Sequence, residues 1–139
     1  MTEPAPALKV KRVVAGILLR GGQILCCQRS KSDAFPLKWE FPGGKIEPGE
    51  TPEQALVREL DEELAIHAEV GPLVETIRHS YAPGSIVELH FFKVEQWNGE
   101  IRNRIFNDLR WMSRSELTSL DFLEADRGLV REIAAGKPL

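Results

Sequence analysis

The sequence predicts an α/β fold in which helices pack against mixed β-structure. Three observations lead to this class: two pairs of β-like segments joined by turn signals, one strongly capped helix between them, and a helical pattern near the end of the chain. Strand and helix patterns do not alternate regularly, which favours an α/β sandwich over a doubly wound sheet. The 139 residues, 42% of them apolar, are expected to form a single domain over residues 1–139.

A β-hairpin is predicted near the N-terminus. Residues 1–9 contain proline and charge without an apolar core, so they are expected to be flexible and not a signal peptide. VKRVVAGILLR (10–20) is predicted to be a strand, the Gly-Gly pair after it a turn, and QILCCQR (23–29) the partner strand. A loop over residues 31–39 leads to a bend in which Gly43 and Gly44 let the backbone approach a ligand closely.

The central helix has a clear predicted start. Thr51 suits the N-cap, Pro52 the first helical position, and Gln54 completes a capping box with Thr51. An apolar stripe with a four-residue spacing then predicts a face that packs on a sheet. The stripe consists of Leu56, Leu60 and Leu64.

The second half of the chain predicts another hairpin and a closing helix. LVETIRHSYA (73–82) and SIVELHFFKVEQW (85–97) alternate as strands do, with a Pro-Gly turn signal between them. Asn98-Gly99 marks a further turn, LRWMS (109–113) a short strand, and LEADRGLVREIAAG (123–136) the last helix.

Charge and cysteine content limit the partners that the chain can have. A net charge of −3 without a clustered basic patch argues against a nucleic acid polymer, and no apolar run is long enough to span a membrane. The only cysteines, Cys26 and Cys27, point to opposite faces of a strand and cannot easily pair, which suits a reducing cytoplasm. We therefore expect a cytoplasmic monomer or homodimer that acts on a small molecule.

The central helix carries an unusual group of carboxylates. Glu59, Glu62 and Glu63 stand at i, i+3 and i+4, one turn apart on one face, where they repel one another. For most acidic helices such a face is simply solvated. Here a glycine-bearing loop precedes the helix and Arg58 lies beside the acids, an arrangement typical of a site for a hard divalent cation and substrate phosphates.

The segment from Gly44 to Ile66 resembles a named motif, the Nudix box. The matching positions are Gly44, Glu50, Arg58, Glu59, Leu60, Glu62, Glu63 and Ile66. Ala65 stands where the motif has glycine. The flanks WEFPGGKIEPGE, and more weakly the rest of the chain, look like the MutT branch of nucleoside triphosphate pyrophosphohydrolases.

This resemblance implies a Nudix α/β/α sandwich around a mixed β-sheet and Mg²⁺-dependent hydrolysis of a (deoxy)nucleoside triphosphate, oxidised or modified ones and CTP-like substrates included, to the monophosphate and pyrophosphate. Mn²⁺ is expected to substitute for Mg²⁺. Glu59, Glu62 and Glu63 would be metal ligands together with the Gly43 carbonyl, and one carboxylate would take a proton from the attacking water. Arg58 would belong with the three glutamates to the catalytic group, where it orients a ligand, and Gly44 and Glu50 would have supporting roles.

Substrate contacts are predicted on both sides of the box. Arg29 and Lys45 are candidates for the triphosphate, although each is equally well explained as a solvated surface cation. Asp126 lies where the MutT branch places a base-reading Asn or Asp, and an acid can accept a hydrogen bond from an exocyclic amino group. Its alternative role is to cap the last helix. Of the aromatic residues Phe35, Trp39, Phe41, Phe91 and Phe92, most are expected in the core, with base stacking as the alternative.

One position departs from the related enzymes and keeps two other functions open. Ile105 stands six residues before Trp111, where relatives often carry a metal-site Glu, and Asn107 or Asp108 could substitute for it. The alternatives are hydrolysis of a nucleoside diphosphate sugar or dinucleotide, which the box alone does not exclude, and a non-catalytic Nudix domain that senses a nucleotide.

Overall fold

A computed structural model describes residues 8–139. The strands are β1 Lys9–Arg20, β2 Gln23–Gln28, β3 Trp39–Glu40, β4 Gly43–Lys45, β5 His67–Glu69, β6 Leu73–Ala82, β7 Ser85–Val94, β8 Gln96–Asn98 and β9 Asp108–Ser113. The helices are α1 Pro52–Leu64 and α2 Arg127–Ala134, with 3₁₀ turns at Arg114–Ser119 and Glu124–Asp126. Residues 1–7 of the segment predicted to be flexible lie outside the described residues. The same prediction does not hold for Lys9, which begins β1 and donates a backbone hydrogen bond to Gly84.

β1 organises a mixed sheet. It forms the predicted antiparallel hairpin with β2, pairs antiparallel with β4, and runs parallel to β7 from Lys9 to Leu18. The strand order along the sheet is β3-β2-β1-β7-β6, with β9 on β2 and β4 on β1. The parallel pair and its antiparallel neighbours confirm the mixed sheet predicted above.

Helices cover both faces of this sheet. α1 packs its leucine stripe on one face, and α2 packs on the other with Leu129, Val130 and Ile133. Alternation along β2 sends Cys26 into the α2-side core and Cys27 into the α1-side core, as predicted for adjacent strand residues. Both thiols are free and fully buried, and burial raises the pKa of Cys26 to about 12. The result is an α/β/α sandwich.

α1 begins and ends where its sequence signals require. Thr51 accepts a hydrogen bond from the Gln54 amide, and the Gln54 side chain accepts one from the Thr51 amide, which confirms the capping box. The three stripe leucines are fully buried. At the other end Ala65 adopts the left-handed conformation (φ 59°, ψ 31°) that glycine favours. The substitution in the motif therefore changes the residue but not the way in which the helix ends.

Two predicted boundaries were wrong. The strand expected over residues 85–97 stops at Val94, and Gln96–Asn98 becomes β8, which pairs with β5 in a separate two-stranded sheet. The closing helix begins at Arg127 instead of Leu123, because residues 124–126 form a 3₁₀ turn. β3 and β4 were also not predicted, since their residues fall in the segments expected as a loop and a bend, and neither were β5 and the 3₁₀ turn Arg114–Ser119.

Candidate active site

A cavity of about 490 Å³ lies against the sheet and brings most of the predicted site residues together. Its lining includes Val13 and Ala15 of β1, together with β4 and the acidic face of α1. Among the predicted residues, the cavity is lined by Arg29, Gly43, Gly44, Lys45, Glu59, Glu62, Glu63 and Asp126. Arg58 stands behind this lining and contacts it, and Glu50 pairs with Arg58.

The two glycines of β4 are required by close packing. A Cβ on Gly43 would lie 1.9 Å from the Val14 carbonyl oxygen, because β4 pairs with β1 so that Gly43 stands opposite Ala15. A Cβ on Gly44 would lie 2.5 Å from the Glu59 carboxyl carbon. The absence of a side chain at Gly44 therefore leaves room for the Glu59 carboxylate.

Arg58 holds the acidic face in place. Its guanidinium makes a bidentate pair with Glu50 through Nε and Nη2, at 2.8 and 2.9 Å. Nη1 donates to Glu59 at 3.0 Å and to Glu62 at 3.4 Å, and Nη2 donates to the Lys45 carbonyl at 3.0 Å. The hydrogen bonds from Arg58 hold the pKa of Glu50 down at about 2. One arginine thus connects β4, through the Lys45 carbonyl, to two carboxylates of α1.

The acidic face is set up for a cation. Glu63 is 5% exposed and accepts a hydrogen bond of 3.2 Å from the Gly43 amide. Burial first, then the charges of Glu59 and Glu40, raise the pKa of Glu63 to about 9. Burial also raises the pKa of Glu59. Carboxylates that neighbour one another and are withdrawn from water gain most from a positive ion.

The donor set matches a hard divalent metal, although the side chains are not yet arranged around one. Within residues 8–139, no three His, Cys, Asp or Glu side chains form a ready metal cluster, since Glu59 and Glu62 turn to Arg58 and Glu63 to Gly43. Carboxylate and carbonyl oxygens are the ligands that Mg²⁺ and Mn²⁺ take. These oxygens belong to residues that line one cavity.

A second carboxylate pair lies further along the cavity. Glu40, to which no sequence pattern pointed, lines the cavity, and both of its carboxylate oxygens accept from Arg29 Nη1, at 3.0 and 3.2 Å. Burial, partly offset by Arg29, raises the pKa of Glu40 to about 7. The charge of Glu40 contributes to the raised pKa of both Glu63 and Asp126, so it acts electrostatically on both halves of the cavity. Its only sequence signal is an acid between two buried aromatics, Trp39 and Phe41.

Asp126 lies inside the cavity and does not cap the last helix with its side chain. It occupies the residue before α2, but its carboxylate makes no capping hydrogen bond. The side chain is 2% exposed, and Oδ1 is buried without a hydrogen-bond partner among the described residues. Burial first, then the charge of Glu40, raise the pKa of Asp126 to about 8 against the opposing effect of Arg29. A buried polar atom without a partner requires an explanation, and at a cavity wall a bound ligand is one.

The aromatic residues divide as expected between core and cavity. Phe91 and Phe92 are buried in the two cores, and Trp39 is buried beneath the guanidinium of Arg110. Phe41 is buried and forms part of the cavity wall. Phe35 is different, because it is exposed at the cavity and remains available to a base.

Ile105 reaches the cavity, whereas neither of its proposed substitutes does. Ile105 is half-exposed and lines the cavity near the acids. The Asn107 amide donates to the Gln28 side chain at 2.6 Å, and Asp108 accepts hydrogen bonds from its neighbours Leu109 and Arg110. Neither Asn107 nor Asp108 belongs to the cavity lining, so the position of the missing acid is apolar.

Comparison with known families now identifies this arrangement. The model of the NUDIX domain matches residues 10–133, which include the whole cavity. The chain belongs to the Nudix family. This Nudix domain is 40% identical over 129 residues to the CTP pyrophosphohydrolase of Escherichia coli, a match covering 92% of this chain and 94% of that protein. It is 38% identical over 126 residues to the 8-oxo-dGTP diphosphatase of Haemophilus influenzae, covering 90% and 92%.

Solved structures of relatives share the fold. The solution structure of the E. coli ORF135 protein superposes with a TM-score of 0.83 at 38% identity, covering 92% of this chain and 91% of that one. A MutT structure from a study of the Aliivibrio salmonicida and Vibrio cholerae proteins gives 0.77 at 29% identity, covering 91% of this chain and 98% of that one. The predicted α/β fold and MutT-like Nudix membership are confirmed. Nudix hydrolases work with divalent metal ions on small nucleotides. Within residues 8–139, no helix has the length and apolar content that a bilayer crossing needs.

Proposed function

We propose that this Nudix domain is a Mg²⁺-dependent pyrophosphohydrolase that converts a (deoxy)nucleoside triphosphate to the monophosphate and pyrophosphate. The observation that carries the proposal is one cavity with the carboxylates of α1 beside Gly43 and Gly44 and, beyond them, a buried Asp126 whose Oδ1 has no partner among residues 8–139. The relatives named CTP pyrophosphohydrolase and 8-oxo-dGTP diphosphatase support the same class of substrate.

Glu59, Glu62, Glu63 and the Gly43 carbonyl are the proposed ligands of the metal. A bound divalent ion supplies charge neutralisation for the phosphates and lowers the pKa of a water molecule. The carboxylates hold the ion in the cavity, and one of them takes the proton of the attacking water. The water oxygen then bonds to one phosphorus of a phosphoric anhydride as the bond from that phosphorus to the bridging oxygen breaks. One product carries the water oxygen, and the other keeps the bridging oxygen. No nucleophilic side chain is needed, because phosphoryl transfer depends chiefly on positioning and charge.

The remaining residues hold and orient. Arg58, fixed by the bidentate pair with Glu50, keeps Glu59 against Gly44. Lys45, exposed on the cavity wall, and Arg29 supply positive charge for the triphosphate. Arg29 is already paired with Glu40, so its proposed role includes holding Glu40 beside the substrate. Asp126 receives a hydrogen bond from the edge of the base, with oxidised purines, cytidine and methylated cytidine as candidate bases.

A nucleotide panel tests this proposal. The four common ribonucleoside and deoxyribonucleoside triphosphates, 8-oxo-dGTP and 5-methyl-dCTP are incubated with Mg²⁺, Mn²⁺ or EDTA, and the phosphate products are separated. Monophosphate and pyrophosphate with Mg²⁺ or Mn²⁺, and no turnover in EDTA, are expected. Orthophosphate with diphosphate would contradict the proposal. Cleavage of a nucleoside diphosphate sugar or dinucleotide in preference to every triphosphate would replace it with that alternative.

Ile105 favours one competing function. An apolar residue beside the acids leaves fewer oxygen donors than related enzymes have, as expected for a nucleotide sensor with little turnover. A sensor would bind triphosphates in equilibrium dialysis yet release no product at enzyme concentrations far above those of the nucleotide. The cytoplasmic location and the monomeric or dimeric state remain proposals, and sedimentation of the purified protein tests the second.

A further inference from the structure

Tyr81 lies on the wall of the cavity, at an irregularity in the sheet. β6 pairs regularly with β7 from Glu75 opposite Phe91 to His79 opposite Val87, and pairing resumes at Ala82 opposite Ser85. Two residues of β6, Ser80 and Tyr81, therefore face one residue of β7 between these points. Such bulges redirect side chains near functional sites. Here the bulge lies where Tyr81 lines the cavity.

The side chain of Tyr81 is held from three directions. Its hydroxyl oxygen accepts a hydrogen bond of 2.9 Å from the Ala125 amide. Its ring lies 4.8 Å from the ring of Phe35 and 4.5 Å from that of His79, measured between centroids. A residue held in this way can fix the position of its partner.

That partner is the turn that carries Asp126. Residues Glu124–Asp126 form a single 3₁₀ turn, in which the Asp126 amide donates to the Leu123 carbonyl at 2.9 Å. Ala125 is buried, so its amide needs a partner within the protein, and the Tyr81 hydroxyl provides it. The Asp126 Oδ1 has no hydrogen-bond partner among the described residues, so no such bond at this atom holds the carboxyl, and the position of the turn backbone contributes to where it lies.

We propose that Tyr81 is a positioning residue for base selection, because its hydroxyl holds the Ala125 backbone and thereby fixes the Asp126 carboxyl against the edge of the base. The inference rests on the proposed function, in which Asp126 meets the base of a nucleoside triphosphate. Tyr81 of β6, 44 positions before Ala125 in the chain, would thus belong to the part of the site that distinguishes bases.

The test is Tyr81→Phe, which removes the hydroxyl and keeps the ring. Values of kcat and KM are measured for the nucleotide panel, and the ratio of kcat/KM between the best and the poorest substrates is compared. We expect this ratio to decrease by about 10-fold to 100-fold, because small misplacements of a binding group are costly. The decrease should come chiefly from a higher KM for the preferred substrate. The kcat with the preferred substrate should change much less.

Ser80→Ala is the matched control. The Ser80 hydroxyl donates to the carbonyls of Ala82 and Ser85 at 2.8 and 2.9 Å within the same bulge, but Ser80 is exposed and outside the cavity lining. Its loss should lower the melting temperature without changing the order of substrates. Ratios between substrates on one preparation do not depend on the fraction of enzyme that is folded.

A double-mutant cycle with Asp126→Asn decides whether Tyr81 acts through Asp126. If it does, Tyr81→Phe should lower the ratio strongly in the wild-type background and hardly at all in the Asp126→Asn background. An unchanged ratio in Tyr81→Phe, or equal effects in both backgrounds, would overturn the inference. Failure of the proposed function is distinguishable, since then the wild-type protein would hydrolyse no triphosphate in the panel.

Discussion

Replacing Asp126 by Asn should flatten the dependence of stability on pH. The pKa of this carboxyl is raised from the ordinary 3.8 to about 8, mainly by burial and then by the charge of Glu40. Between these values the folded protein keeps a proton that the unfolded chain has lost. Stability is therefore highest below pH 4 with respect to this group, and it is lost as the pH rises toward 8.

The size of the effect follows from one proton. Each pH unit inside the window lowers the free energy of unfolding by up to about 1.4 kcal/mol relative to a variant that cannot titrate there. Between pH 5 and pH 7 the wild type should thus lose up to about 3 kcal/mol more than Asp126→Asn. Asn has the shape of the protonated acid, so any fixed cost of burying its amide shifts the curve without changing its slope.

Denaturant unfolding at half-unit steps from pH 5 to pH 8 measures this difference. The groups around Asp126 are Glu40, Arg29, Tyr81 and Glu124, and all are present in both proteins. Glu40, with its pKa raised by burial to about 7, titrates in both proteins, and because its charge also raises the pKa of Asp126, the two carboxyls contribute jointly to the difference in slope. Glu124→Gln, on the same turn with about two-thirds of its side chain exposed, is the control and should run parallel to the wild type. Parallel curves for Asp126→Asn would refute the reasoning.

Three other substitutions test the acidic half of the site. Glu62→Gln should keep the fold and lower kcat/KM by several orders of magnitude, because the amide lacks the charge that holds the metal; Glu53→Gln, exposed on the same helix, is the control, and near wild-type turnover at saturating Mg²⁺ would count against the assignment. Ala65→Gly should raise the melting temperature by about 2–4 °C, because it removes on the order of 1 kcal/mol of left-handed strain, whereas a fall would show that the strain is absent. Arg58→Lys at high Mg²⁺ should raise the activation free energy by more than it lowers the free energy of unfolding, since a lysine keeps the charge and loses the bidentate pair with Glu50; a kcat equal to that of the wild type would show that the bidentate pair is dispensable.

The sequence predicted α1 well because the information for it is local. The capping box and the leucine stripe all lie within residues 51–64, and both were found as predicted. The last helix was placed less well, because the turn before it depends on Tyr81, a partner far away in the chain. The strand over residues 85–97 was predicted as continuous, since nothing in its alternation shows that Gln96–Asn98 leaves β7 to pair with β5. Long-range pairing decided both outcomes.

The same distinction between local and distant information divides the candidate site. The acidic half belongs to one segment of 23 residues, Gly44 to Ile66, so its spacing is recognisable in the sequence alone. The half around Asp126 is assembled from separate elements: Arg29 after β2, Glu40 in β3, Tyr81 in β6 and the turn before α2. Glu40 was missed for this reason, because no spacing in the chain relates it to Asp126. A site built in this way can change its preferred base through scattered substitutions that leave the box helix untouched. The two relatives at 40% and 38% identity are named for different substrates, CTP and 8-oxo-dGTP. Such a difference in base is expected when the residues around the base vary independently of the box helix.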